Sequence, residues 1–196
     1  LKVRVVYGKA GLVSAKLVHV TTAEGTEEVE SDNVIIATGS SPLELPALPV
    51  DHARVLSSDD ALELQAVPPS LIIVGGGVIG CELAFIYRAF GSKVTVVEGQ
   101  NRVLPLPSVD EEISRLLQRE MKKKGIAVEL ARTVTATTPT GTGVSVEIGA
   151  SPFVEVANPP APRTLEADAV CVTVGRVPHT DGLGLDAAGV KVDARG

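Results

Sequence analysis

Apolar and polar positions alternate over short distances in the first part of the chain. Residues 1–37 have the pattern of short antiparallel strands, in which 12–18 and 29–32 flank a turn at 24–26. The continuous apolar run 34–37 predicts one more strand. This part of the chain is therefore predicted to be a small antiparallel β structure.

Prolines and a short helix separate this region from the next. Residues 42–49 contain three prolines and are predicted to be a linker. Residues 58–64 predict a short helix, which Pro68 and Pro69 terminate.

From residue 71 onward the pattern predicts a strand, a helix and a second strand. The run 71–74 has no polar face, which is typical of a strand buried on both sides of a parallel sheet. Residues 78–90 are predicted to be helical, with Gly91 after the last turn and 94–98 as the second strand. The predicted apolar stripe of this helix consists of Ile79, Leu83, Ile86 and Phe90.

A further helix and several strands follow. Ser108 and Glu111 have the spacing of a capping box, Lys122 to Lys124 suit a last helical turn, and Gly125 ends it. The predicted apolar face of this helix consists of Ile113, Leu116, Leu117 and Met121. Strands are predicted at 126–130 and 167–174, with an antiparallel hairpin or meander at 132–157 and a proline-rich loop at 158–162. The predicted fold is α/β, a Rossmann-like parallel sheet with an antiparallel β-meander.

Composition narrows the possible functions. The 196 residues are 44% hydrophobic, which is enough for a sizeable core, and the net charge of −6 argues against a nucleic-acid partner. No apolar run reaches the roughly 18 residues of a membrane span. The chain starts on a strand-like pattern without an initiator Met or signal peptide, so we expect it to be part of a larger protein.

Cysteine and histidine give no catalytic or metal-binding motif. Cys81 and Cys171 form no CxxC pattern and are predicted to be small buried apolar residues. His19, His52 and His179 lack metal-ligand spacing. We therefore expect neither a catalytic residue nor a metal site in this chain.

The segment Gly75-Gly76-Gly77-Val78-Ile79-Gly80 satisfies the dinucleotide-binding pattern GxGxxG, and it lies between a buried strand and a helix, as this pattern requires. Gly75 allows the tight turn, Gly77 lets the backbone approach a pyrophosphate, and Gly80 allows the helix to pack closely on the strand. The N–H groups at the helix start favour phosphate. This motif predicts a dinucleotide site.

Two carboxylates refine that prediction. Glu98 ends the second strand, where an acid binds the ribose hydroxyls and repels a 2′-phosphate, so NAD is predicted over NADP. The nearby Arg102 is predicted to be a solvated surface residue. Glu82 is flanked by Ile79 and Ile86 and is expected to be partly desolvated. It is either a helix N-terminal acid that the dipole favours or an acid near the nicotinamide.

Three motifs in order resemble those of the flavin-dependent pyridine-nucleotide disulfide oxidoreductases. They are IATGS at 36–40, VGGGVIGCELA at 74–84 and VGRVP at 174–178. Within this family, residues 90–98 and 185–190 are similar to the dihydrolipoamide dehydrogenase group. The resemblance covers nearly the whole chain.

The resemblance implies three segments of a larger flavoprotein. Residues 1–45 would be the end of the first FAD-domain segment, 46–177 the NAD domain, and 178–196 the start of the returning FAD-domain segment. It also implies that Thr38 and Gly39 approach FAD, and that Gly175 and Arg176 lie where NAD meets the flavin. In this resemblance Val134 packs on the adenine and Glu82 lies near the nicotinamide, while His179 replaces the usual Asn and its role stays open.

The implied parent reaction oxidises dihydrolipoamide through a redox disulfide and FAD, with NAD as acceptor. The family's CxxxxC pair, its first GxGxxG and its C-terminal histidine are absent from these residues, so the chain alone is expected to be inactive. The implied partners are a second subunit and the lipoyl domains of 2-oxo-acid dehydrogenase complexes, in the mitochondrial matrix or the cytoplasm. Alternatives are a glutathione, trypanothione or mercuric reductase, or a non-catalytic NAD-sensing module.

Overall fold

Helices and strands begin and end close to where the apolar periodicity changes. The computed structural model describes residues 2–194 and 196. The strands are Lys9–Ser14 (β1), Leu17–Thr22 (β2), Gly25–Glu30 (β3), Ser40–Pro42 (β4), Val55–Ser57 (β5), Ser70–Val74 (β6), Lys93–Val97 (β7), Ala127–Glu129 (β8), Arg132–Pro139 (β9), Val144–Ala150 (β10), Arg163–Ala167 (β11), Ala169–Val172 (β12) and Arg176–Pro178 (β13). The helices are Ser58–Glu63 (α1), Val78–Ala89 (α2) and Glu111–Lys123 (α3).

The chain divides into two units, of which the first comprises Leu1–Ser41 and Arg176–Gly196. Its main element is an antiparallel sheet in the order β1-β2-β3, which confirms the antiparallel arrangement, and β4 pairs with β13. The predicted strand 12–18 is wrong, because a turn at residues 15 and 16 divides it between β1 and β2. The predicted strand 34–37 does not form, and Ile35 is 91% exposed. A strand that is apolar on both faces needs covering layers on both sides and neighbouring strands, and the run 34–37 pairs with no strand of the described residues.

The second unit, Pro42–Gly175, contains a five-stranded parallel sheet in the order β5-β12-β6-β7-β8. It also contains a three-stranded antiparallel sheet, β11-β10-β9. The predicted Rossmann-like sheet with a β-meander is therefore confirmed.

Alternate side chains of β6 face opposite layers, which explains why the run 71–74 has no polar face. Leu71 and Ile73 belong to a core cluster with residues of α2 and α3. Ile72 and Val74 belong to a second cluster with residues of the antiparallel sheet. The parallel sheet is thus buried between helices on one face and β-strands on the other.

The predicted linker 42–49 is wrong in one respect, because it contributes to the core. Leu48 is 2% exposed and packs in the cluster under the antiparallel sheet, and its N–H donates to the Leu45 carbonyl. The proline-containing segment is therefore held against the core by the side chain of Leu48.

Both long helices bury only part of the predicted stripes. Leu83 and Met121 are buried, and Ile79 and Leu117 pack against the same core, as predicted. On α2 the buried residues are Gly80, Cys81, Leu83, Ala84 and Tyr87, whereas Ile86 and Phe90 are exposed. Small residues allow this side of the helix to approach the sheet closely, and that approach selects the buried face.

On α3, Met121 and Ser114 are buried, while Ile113 and Leu116 are exposed. The predicted capping box is also wrong, because Asp110 is the N-cap and accepts a hydrogen bond from the Glu112 N–H at 3.0 Å. None of the helices in the described residues is long and apolar enough to cross a membrane.

Candidate nucleotide-binding site

The glycine-rich turn between β6 and α2 is held at its start by backbone bonds. Gly75 has φ +107°, a conformation that favours glycine, and its N–H donates to the Val97 carbonyl at 2.8 Å. The Thr173 hydroxyl lies 2.9 Å from the Gly75 carbonyl and 3.0 Å from the Val74 carbonyl, and its single hydrogen is shared between them. Thr173, which directly follows β12, therefore helps to hold the glycine-rich turn in place.

Gly80 and Gly77 meet different constraints in this turn. A Cβ added to Gly80 would lie 1.9 Å from the Gly75 carbonyl oxygen, so only glycine allows the helix to pack here. A Cβ added to Gly77 would meet nothing within 4 Å. Gly77 is the N-cap of α2, with no side chain capping the helix. The first N–H groups of α2 thus start beside open space.

A cleft of ≈ 580 Å³ lies at the carboxyl ends of β6, β7 and β12, within the second unit. This is the position at which open α/β sheets bind ligands. The predicted site residues that line it are Gly75, Gly77, Val78, Ile79, Glu98, Val134 and Gly175. Neither Gly80 nor Glu82 is among the lining residues, whereas Arg176, Thr38 and Gly39 belong to the first unit.

Glu98 follows directly on β7 and is 7% exposed. Its Oε2 accepts a hydrogen bond from the Gly76 N–H at 2.5 Å, and its Oε1 accepts one from the Gln100 N–H at 2.7 Å. Each carboxylate oxygen has a further lone pair, which can accept a hydrogen bond from a hydroxyl group of a ligand in the cleft. Glu98 therefore holds the glycine-rich turn through a hydrogen bond and can also accept a hydrogen bond from a ligand in the cleft.

Three of the lining residues that were not predicted from the sequence have polar or aromatic side chains that bear on the cleft. Thr173 supports the turn as described, Arg132 begins β9, and Phe153 lies near Gly99, where an added Cβ would come 2.9 Å from the ring. Each is far in sequence from the glycine motif, and only the pairing of strands brings it to the cleft. Phe153 is largely exposed and adds an aromatic ring to the cleft wall.

The prediction that Arg102 is a solvated surface residue is wrong. Its Nη1 donates to the Val109 carbonyl and the Ser114 hydroxyl, both at 2.9 Å, and its Nη2 donates to the Leu106 carbonyl at 3.1 Å. Leu106 lines the cleft. Arg102 therefore holds a cleft wall to the start of α3, because a guanidinium carries enough donors to bridge a loop and a helix.

The expectation that Glu82 is partly desolvated is also wrong. Glu82 is exposed, because Ile79 is only half buried and Ile86 is itself exposed. Its place in the first turns of α2 still suits an acid that the helix dipole favours.

In the first unit, His179 binds the segment that contains Thr38 and Gly39. Its N–H donates to the Gly39 carbonyl at 3.0 Å, and its Nδ1 lies 3.0 Å from the Thr38 carbonyl. A carbonyl only accepts, so Nδ1 carries the hydrogen, while the Nε2 pairs with the Ser41 hydroxyl at 2.6 Å. Arg176 donates from Nε to the Ser40 hydroxyl at 2.8 Å. These contacts order residues 38–41.

Both cysteines are buried and unpaired, as predicted. Burial raises the pKa of the Cys81 thiol to about 11 and that of Cys171 to about 12, so both stay protonated and unreactive near neutral pH. Within the described residues, no three histidine, cysteine or acidic side chains form a group that could hold a metal ion.

The sequence matches the pyridine nucleotide-disulphide oxidoreductase family over residues 2–196. The chain belongs to this family. It is 39% identical over 196 residues to dihydrolipoyl dehydrogenase 3 of Pseudomonas aeruginosa, covering 100% of this chain and 40% of the Pseudomonas protein. It is 37% identical over 195 residues to dihydrolipoyl dehydrogenase of Bacillus subtilis, again with 100% of this chain and 40% of the relative covered.

Solved structures of similar proteins agree with this assignment. LpdA of Mycobacterium tuberculosis superposes with a TM-score of 0.73 at 33% identity, over 97% of this chain and 39% of LpdA. The HOCl-induced flavoprotein disulfide reductase RclA of Escherichia coli superposes with a TM-score of 0.73 at 28% identity, over 96% of this chain and 40% of RclA. The chain thus spans about two fifths of the length of these relatives.

Proposed function

We propose that this chain is the NAD-binding part of an FAD- and NAD-dependent disulfide oxidoreductase of the dihydrolipoamide dehydrogenase type. The observation that carries the proposal is the open glycine-rich turn at Gly77, beside a cleft that also contains the carboxylate of Glu98. The whole protein would oxidise dihydrolipoamide to lipoamide and reduce NAD to NADH. Membership in a disulfide oxidoreductase family over 2–196 argues against a non-catalytic NAD-sensing module.

The residues of the second unit suit each part of the dinucleotide. The N–H groups of Val78 and Ile79 at the start of α2 would hold the pyrophosphate. Glu98 would accept the ribose hydroxyls, and Val134, half buried in the cleft, would pack against the adenine. Gly175, which follows β12 in the cleft wall, and Glu82 would lie toward the nicotinamide. The family's FAD would contact Thr38 and Gly39 in the first unit. Arg176 would lie near the place where NAD meets the flavin.

The proposal extends to the assembly of the whole protein. A flavoprotein of this type would form a homodimer and receive dihydrolipoamide from the lipoyl domains of 2-oxo-acid dehydrogenase complexes. Its compartment would be the mitochondrial matrix or the cytoplasm, and one relative from Dictyostelium discoideum is named as mitochondrial.

The preference for NADH over NADPH is expected to depend on Glu98. In the full-length protein, Glu98→Ala should narrow the affinity difference between the two nucleotides, because it removes a carboxylate that repels the 2′-phosphate. Calorimetric titration with each nucleotide measures both affinities. Equal affinity of the parent protein for NADH and NADPH would contradict the proposed role.

Glu98→Gln separates the charge from the shape of the side chain. It keeps one oxygen for the Gly76 N–H, but its amide nitrogen cannot accept from the Gln100 N–H and the negative charge is gone, so NADPH binding should improve and thermal stability should fall less than in Glu98→Ala. A loss of stability as large as that of Glu98→Ala would show that holding the turn requires the full carboxylate.

The polypeptide 1–196 by itself is expected to be inactive as a dehydrogenase. Only Thr38 and Gly39 are proposed FAD contacts in it, and it contains no CxxxxC pair. The purified chain should show no flavin absorbance and no transfer of electrons from NADH to a dye. Retained flavin with dye reduction would contradict this expectation.

A further inference from the structure

Arg132 brings a positive charge to the same cleft as Glu98. It is the first residue of β9, and its backbone N–H donates to the Glu98 carbonyl at 3.1 Å. Its side chain lines the cleft and is 12% exposed. Among the described lining residues, Glu98 and Arg132 are the charged ones. The cleft therefore contains a cationic residue whose backbone is bonded to that of the acid proposed to bind the ribose.

The guanidinium of Arg132 is bound by two groups of the protein. Its Nε lies 3.2 Å from Oε2 of Glu129, and its Nη1 donates to the Ala161 carbonyl at 2.9 Å. Glu129 ends β8, and its other oxygen pairs with Arg163 of β11. Glu129 thus bridges two arginines, and the pair with Arg132 is largely shielded from water, which strengthens it relative to an exposed ion pair.

A guanidinium in this place has a direct bearing on nucleotide choice. Proteins that take NADP hold the 2′-phosphate with arginine, whose planar donor fork matches phosphate oxygens. Arg132 has the right chemistry and lies beside the right carboxylate, but its donors are directed to Glu129 and Ala161. The presence of an arginine in the cleft is therefore not enough to give a preference for NADP over NAD.

We propose that Glu129 is a positioning residue for nucleotide specificity, which holds the Arg132 guanidinium away from the adenosine ribose and so denies a 2′-phosphate its cation. The inference rests on the proposed NAD function of the cleft. It explains how an NAD site can contain an arginine. Glu98 repels the 2′-phosphate of NADP, and Glu129 keeps Arg132 from binding it, so both carboxylates disfavour NADP. Releasing Arg132 should favour the 2′-phosphate most where Glu98 is also absent.

The test compares ADP-ribose with 2′-phospho-ADP-ribose, two ligands that need no electron transfer. In the full-length protein with Glu98→Ala, adding Glu129→Ala should raise affinity for 2′-phospho-ADP-ribose about tenfold, the effect of one charged contact. Affinity for ADP-ribose should change less than about twofold, and the gain should shrink as salt rises. Glu129→Gln keeps a neutral acceptor for Arg132 and should give a smaller gain.

Two variants identify the source of any gain. Adding Arg132→Gln to the double variant should remove it, because Arg132 is the proposed phosphate ligand. Arg163→Gln in the Glu98→Ala protein leaves Glu129 paired with Arg132 and should give no gain. Melting curves for all variants exclude unfolding as the cause of a lost affinity.

The possible failures are distinguishable. An unchanged affinity for 2′-phospho-ADP-ribose after Glu129→Ala, or a gain that survives Arg132→Gln, overturns the role of Glu129 while leaving the NAD site in place. A parent protein that binds neither ADP-ribose nor NADH overturns the proposed function itself, and the inference with it.

Discussion

Gly77→Val should abolish nucleotide binding while the protein still folds. A Cβ at this position meets nothing within 4 Å, and the extended N-cap backbone of Gly77 (φ −72°, ψ −169°) accepts a branched residue. The added methyl groups would occupy the space into which a pyrophosphate must come to reach the N–H groups of α2. We expect affinity for NADH to fall about hundredfold or more, as charged hydrogen bonds to the phosphates are lost.

Calorimetry and thermal melting of the full-length variant check this expectation together. Gly77→Ala is a graded control, since a single methyl group should weaken binding less. A Gly77→Val protein that melts like the parent and retains its affinity for NADH would show that the nucleotide does not approach this turn.

Gly80→Ala should have the opposite effect, a loss of folding stability. The new Cβ would lie 1.9 Å from the Gly75 carbonyl oxygen and 2.7 Å from the Thr173 hydroxyl. Both neighbours are fixed, because the Gly75 N–H is bonded to Val97 and the hydroxyl to the end of β6. The helix must move outward from the sheet, which we expect to cost about 3 kcal/mol, at the upper end for overpacking in a core.

The quantity to measure is the melting temperature of the unit that binds NAD. Its transition is recognised because added NAD raises that temperature, since a ligand stabilises the part of a protein that binds it. Gly141→Ala is the matched control, because a Cβ there also meets nothing within 4 Å and the residue lies in an exposed loop. If Gly80→Ala melts like Gly141→Ala, then close packing of α2 on the sheet is not required for folding.

The central part of the fold and site could be predicted because its signals are local in sequence. The run 71–74, the glycines from 75 to 80 and the acid at 98 follow one another within a single strand–helix–strand unit. Periodicity and spacing describe such a unit well. The structure places Gly77 and Glu98 at the same cleft, as the motif requires.

Residues that reach the cleft from distant strands could not be predicted in this way. Arg132 and Phe153 come from the antiparallel region, and neither has a neighbour in sequence that indicates a ligand. The pairing of Arg132 with Glu129 likewise depends on how β8 and β9 are placed. Such contacts are set by strand order, which a one-dimensional pattern does not contain.

The errors at apolar positions have a common physical origin. Ile86 and Phe90 of α2 and the run 34–37 are apolar, yet they are exposed in the structure. Periodicity identifies side chains that are capable of burial, but the neighbouring layer decides which of them are buried. On α2 that layer meets the side with Gly80 and Ala84, where the backbone can approach most closely.

The bond from the Gly76 N–H to Glu98 means that the glycine-rich turn is ordered before any ligand arrives. A preordered loop loses less conformational entropy on binding, so part of the affinity for NAD comes from rigidity that Glu98 imposes. Deleting this acid to change the nucleotide preference would therefore also make the loop less ordered and weaken the binding of either nucleotide. A designer of an NADP-specific form would do better to keep a neutral acceptor at position 98 and to supply the cation elsewhere.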